Sequence, residues 1–123
     1  MEQKITAGRD ELGSFAPKFA QLNDDVLFGE VWAREEALSA RDRSIVTVTA
    51  LMAGGILDSS LKFHIANAKR HGVTAGEMAE IRAELEKTGP FNAGRQREKI
   101  LELLEQWYPR VNEIGRASCR ERV

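Results

Sequence analysis

An all-α fold is predicted by three features of this 123-residue chain. Apolar residues recur at intervals of three and four, capping pairs stand at the head of several such stretches, and no sustained two-residue alternation bounded by hairpin dipeptides occurs. The composition, 42% hydrophobic and 30% charged, is too apolar for a disordered chain. The expectation is a single compact multi-helix domain over residues 1–112.

The first helical stretch runs from about Ser14 to Ala37, with Phe15, Phe19, Leu22, Val26, Leu27, Val31 and Trp32 spaced by threes and fours. Its phase slips at Asn23-Asp24-Asp25, which predicts a break or kink between two helical pieces. Ser39 opens the next helix with Asp42 three positions on, a pairing in which each side chain can satisfy the other end's free backbone donor. The following run, Ile45, Val46, Val48, Ala50, Leu51, Met52 and Ala53, is apolar nearly all round, as befits a core helix or a subunit interface. Gly54-Gly55 stops it.

Asp58, Ser59 or Ser60 caps the next helix. It places Leu61, His64, Ile65 and Ala68 on one stripe and Lys62, Lys69 and Arg70 on the other side, and Gly72 ends it. Thr74 with Glu77 repeats the capping pair ahead of Met78, Ile81 and Leu85, up to Gly89-Pro90. A last amphipathic helix from about Arg95 to Tyr108 gathers Ile100, Leu101, Leu104, Trp107 and Tyr108, and Pro109 closes it.

The residues 113–123, EIGRASCRERV, resemble the translation of a sequencing-adapter oligonucleotide and are set apart from the folded body. The whole chain has a net charge of −1 and a pI near 6.1; without the tail the body has 15 basic and 17 acidic residues, net −2, and no cysteine. Nucleic acid is therefore a poor partner, since phosphate backbones call for a basic excess. No apolar run reaches membrane-spanning length and no leader is seen, so a cytoplasmic location is expected, with no membrane partner.

Few groups carry chemistry. His71, one residue before Gly72, suits a helix C-terminus, where positive charge is favoured. His64 lies on the apolar stripe and is either a hydrogen-bonded structural residue or a functional one facing the core or a neighbouring subunit. In FGEVWAR, Glu30 beside large apolar groups is a candidate for a raised pKa, and Trp32 for a pocket wall; a solvated Glu30 and a core Trp32 are the alternative. Arg41 and Arg43 could grip a substrate carboxylate by a planar two-point contact or be first-turn surface charges. No glycine-rich phosphate loop and no HExxH pattern occurs, so neither a nucleotide nor a metal is expected.

The stretch FGEVWAREEALSARDRSIVTVTALMAGG, followed by LKFHIANAKRHGVTAGEMAEI, resembles the carboxymuconolactone decarboxylase family within the alkylhydroperoxidase D-like superfamily. The resemblance covers about Phe15 to Ile81; after Ile81 the chain turns charged and diverges, over 82–112. It implies an all-helical subunit that assembles into trimers or hexamers. Peroxidase members carry a CxxC pair before the histidine, and Leu57 and Ser60 stand at those positions here, so thiol peroxidase chemistry is not supported. The decarboxylase branch lacks those cysteines too. The resemblance implies cofactor-free removal of carbon dioxide from a small carboxylated lactone in aromatic catabolism, with His64 as proton donor, Glu30 orienting it or relaying the proton, Arg41 or Arg43 holding a carboxylate, and Trp32 shaping the pocket. The other reading is a non-catalytic, ring-forming helical binding or scaffold module.

Overall fold

The structure, a computed structural model, describes residues 4–88, 94–111 and 113. Every regular element among them is helical: α1 (Ala7–Leu12), α2 (Pro17–Gln21), a π-helical segment (Leu22–Val31), α3 (Ala40–Ala53), α4 (Ser59–Arg70), α5 (Ala75–Thr88) and α6 (Gly94–Trp107). The chain forms two compact units, Met1–Arg43 and Ser44–Val123.

In the first unit α1 packs on α2 and on the π-helical segment. Pro17 starts α2, where its missing N–H costs nothing. The phase slip predicts a break near Asn23, but the backbone stays helical through Gln21 and Leu22, and the turns widen instead. Trp32 N–H reaches back five residues to the Leu27 carbonyl at 2.9 Å. The extra residue enclosed by each such bond widens the turns and absorbs the slip, and a ten-residue run of this kind is uncommon.

The described residues that this unit buries are small or polar: Gly8, Ala20, Asp24 and Ala40. Asp24 is 2% exposed, and its carboxylate accepts hydrogen bonds from Gly8 N–H at 2.8 Å, Arg9 N–H at 3.0 Å and the Asn23 side chain at 3.1 Å. Thr6, at the α1 N-cap, makes no side-chain cap bond, so Asp24 caps α1 from across the unit. Arg9 lies 3.5 Å from the same carboxylate and grips Asp25 with both terminal nitrogens, at 2.9 and 2.8 Å. Burial alone would raise the Asp24 pKa; the bonds from Asn23, Arg9 and Gly8, with the Arg9 charge, hold it below the usual carboxylate range. Side chains of the predicted apolar stripe lie outside, with Phe15 87% and Phe19 60% exposed. Periodicity identifies a shared face, whereas the covered face here carries Ala20 and Asp24.

The second unit has a conventional core. Val48 and Met52 of α3, Leu61, Ile65 and Ala68 of α4, Met78, Ala79 and Leu85 of α5, and Ile100, Leu103 and Leu104 of α6 form one cluster, completed by Val73, Tyr108 and Val111. Only one stripe of the apolar α3 is covered, and Val46 on another side is exposed. Trp107, expected in the α6 stripe, is 37% exposed, and Leu103 takes the core position.

The helix ends follow the expected chemistry. Ser39 Oγ accepts from Asp42 N–H at 3.0 Å, and Asp58 accepts from Ser60 N–H at 2.9 Å. Thr74 and Glu77 exchange bonds of 3.0 and 3.1 Å. Gly55 (φ 74°) and Gly72 (φ 89°) end α3 and α4 in the left-handed region. Ile56 N–H returns to the Leu51 carbonyl and Val73 N–H to the Ala68 carbonyl, the six-to-one bond of a Schellman turn. The expected stop at Gly89-Pro90 and the adapter-like stretch after Glu113 lie outside the described residues.

A Cβ on Gly8 would stand 2.6 Å from Asp24 Oδ1 and 3.0 Å from the Ala20 carbonyl. Gly8→Ala should destabilise the first unit by about 1–3 kcal/mol in denaturant unfolding. Tyr108 donates its hydroxyl to the Val73 carbonyl at 2.8 Å, and burial pushes its pKa from 10.0 to about 12. The raised folded value means that the contribution is complete below pH 10 and fades as pH rises through about 12. Tyr108→Phe should cost ~1 kcal/mol at neutral pH and remove that alkaline loss from the thermal unfolding midpoint.

Candidate functional site

Asp58 sets the start of α4, and therefore the phase in which Leu61, Ile65 and Ala68 turn into the core. His64, three positions after Leu61, falls at the edge of that stripe. Its residue is half-buried and its Nδ1 atom is shielded from water. The Phe63 ring meets the imidazole edge-on, with centroids 5.1 Å apart and planes at 89°. Burial pushes the imidazole below its ordinary value of 6.5, so the neutral ring dominates at neutral pH, and its protonated form is a stronger acid than free histidine. His71 has a local task at the α4 C-cap: its Nδ1 lies 2.9 Å from the Asn67 carbonyl.

The remaining candidate residues are in the first unit. Glu30 is exposed on the π-helical segment, so this unit does not itself supply apolar surroundings for it. Trp32 is half-buried at the end of that segment, its ring 5.3 Å from Phe28 and inclined by 37°. Together the two rings make a small aromatic surface. Arg41 lies 3.5 Å from Asp42 Oδ1, a long pairing between partly exposed groups. Arg43 Nε donates to the Leu38 carbonyl at 2.9 Å and a terminal nitrogen to the Arg34 carbonyl at 3.3 Å. That guanidinium ties the loop before α3 to the helix it precedes, a structural use of the fork proposed for a substrate carboxylate.

Glu30 and Trp32 thus share the end of the π-helical segment, Arg41 and Arg43 the first turn of α3, and His64 the second unit. No group of three His, Cys, Asp or Glu side chains arranged for a metal ion occurs among the described residues. No described helix is long and apolar enough to cross a membrane. A shallow groove lined by Leu101, Glu102, Glu105 and Gln106 runs along α6, remote in sequence from every candidate residue. Sequence reasoning passed over Arg82, which is buried on α5 and bonded to Glu86. Its signal was present: a cation between Met78 and Leu85 on the apolar stripe.

Comparison with known families places these helices. The Carboxymuconolactone decarboxylase family matches residues 17–96, more than half of the chain. The chain belongs to that family. The match runs from α2 through α5, takes in both the FGEVW segment and the His64 helix, and continues past Ile81 into the charged stretch. No curated protein and no solved structure matches this chain. Leu57 and Ser60 flank the Asp58 cap of α4.

Replacing Arg43 by Gln should release the Arg34–Leu38 loop. Limited proteolysis should then cut there faster than in the parent chain, with a stability loss of ~1 kcal/mol by denaturant titration.

Proposed function

We propose that this family member catalyses cofactor-free decarboxylation of a small carboxylated lactone, working as a cytoplasmic homo-oligomer. The observation that carries the reading is His64: a half-buried imidazole, lowered in pKa by burial, on the thiol-free helix of a carboxymuconolactone decarboxylase family chain. The homo-oligomer is what the resemblance to the family implies.

The chemistry asks little of the protein. The bond from the ring carbon to the carboxylate breaks, carbon dioxide departs, and the electron pair flows through the ring double bond to the lactone carbonyl. The substrate is its own electron sink. A proton then passes from the His64 imidazolium to carbon, and the neutral ring is reprotonated from solvent. The protein's share is positioning, stabilisation of the developing enolate and delivery of that proton. In this scheme Glu30 orients His64 or relays its proton, Arg41 or Arg43 holds a carboxylate, and Trp32 with Phe28 walls the lactone. The exposure of Glu30 and the loop bonds of Arg43 favour a second reading, a non-catalytic helical binding module.

Carbon dioxide release from 4-carboxymuconolactone by the purified chain separates the two. Turnover that falls by about 100-fold or more in His64→Ala supports the decarboxylase; full turnover in that variant removes His64 from the reaction. The expected pH profile has a definite sign. A proton donor must be charged, so kcat/KM should be constant in acid and fall as pH rises through a value below 6.5. A profile that rises through that range would make His64 a base.

A further inference from the structure

Arg82 is the buried charged side chain of the second unit among the described residues, at 7% exposure. It sits on the core-facing stripe of α5, four positions after Met78 and three before Leu85. One terminal nitrogen donates to Glu86 Oε1 at 3.1 Å, and Arg97 Nε on α6 donates to that same oxygen at 2.8 Å. The three side chains open progressively toward solvent, 9% exposed for Arg82, 31% for Glu86 and 45% for Arg97. Arg82 Nε is shielded from water and meets no acceptor among the described residues.

A guanidinium stays charged at any pH a protein meets. Two such cations therefore share one carboxylate, and one positive charge of the triad is left unbalanced. The side-on edge of Arg82, which includes Nε, can donate two parallel N–H bonds to a flat pair of oxygens. A buried polar donor without an acceptor is rare enough to call for an explanation.

We propose that Arg82 and Arg97 form a binding site for a small monocarboxylate, separate from His64. A flat monoanion matches both the fork geometry and the single surplus charge, whereas a dianionic phosphate would overcompensate in a half-buried place. The ligand approaches from the Glu86 and Arg97 side, and the Arg82 fork turns toward it. Exchange runs through Glu86, the partner in the pair that is 31% exposed, whose carboxylate can swing to water as the ligand replaces it on the Arg82 fork.

The test follows arginine Nε–H resonances of the ¹⁵N-labelled full chain during titration with acetate, with chloride and inorganic phosphate at matched ionic strength. A saturable acetate shift that chloride does not reproduce is expected. Arg82→Lys should abolish it, because lysine has no fork, and Arg97→Gln should weaken the apparent affinity about tenfold. Should Arg82→Lys fail to fold, the half-exposed Arg97 still decides the matter. Shifts that never saturate, or that persist unchanged in these variants, would overturn the site, and tighter binding of phosphate than of acetate would overturn the monocarboxylate assignment. The readout needs no turnover, so its failure leaves the decarboxylase reading standing, and the reverse also holds.

Discussion

Helix ends are what this chain has to solve. Among the described residues the helical elements run from 5 to 14 residues, and except where α2 continues into the π-helical segment their ends leave up to four N–H and four C=O groups without an intrahelical partner, a large share of the backbone in elements so short. The polar residues are spent accordingly. Asp24 takes two N–H groups at the head of α1, Ser39 and Asp58 one each at α3 and α4, and Thr74 with Glu77 closes the start of α5. At the other ends Gly55 and Gly72 fold the chain back on its last carbonyls, and Lys69 donates to the Trp107 carbonyl at 2.8 Å.

The same need sorts structural charges from chemical ones. Arg43 and His71 both look reactive in a sequence, and both meet backbone carbonyls near a helix end. Asp24 is buried and charged, yet a set of converging donors accounts for it. His64 and Arg82 are different. Neither sits in a terminal turn; one lies at the edge of a core stripe and the other within one, where an imidazole and a guanidinium lose hydration without a helix end to serve. Buried polar groups that serve no helix end are where function is sought.

Much of this was legible residue by residue. The Thr74–Glu77 exchange, the Asp58 cap and the glycine stops at 55 and 72 involve partners a few positions apart, so spacing alone identifies them. The core stripes of α4 and α5 followed from their period. The slip at Asn23 was visible too, but it suits equally a broken helix and a wider one, and the backbone took the second course. Trp107 and Phe19 show the other failure: periodicity groups residues on a face without saying whether anything covers it. For the candidate site, the spacing around His64 and FGEVW was enough to indicate the family, while Glu30's exposure and the loop-holding bonds of Arg43 were invisible to it.

Sequence alone determined the helical class, most helix ends and the family, because each depends on interactions that span three to five residues or on a motif read along the chain. Tertiary structure alone decided that Asp24 would cap a helix 16 residues upstream, that Tyr108 would tie the end of α6 to a carbonyl 35 residues away, and that Arg82 and Arg97 would converge on one oxygen. Each of those contacts closes a loop, and the loop forms only when packing elsewhere meets the entropy of closing it. No local pattern records that balance.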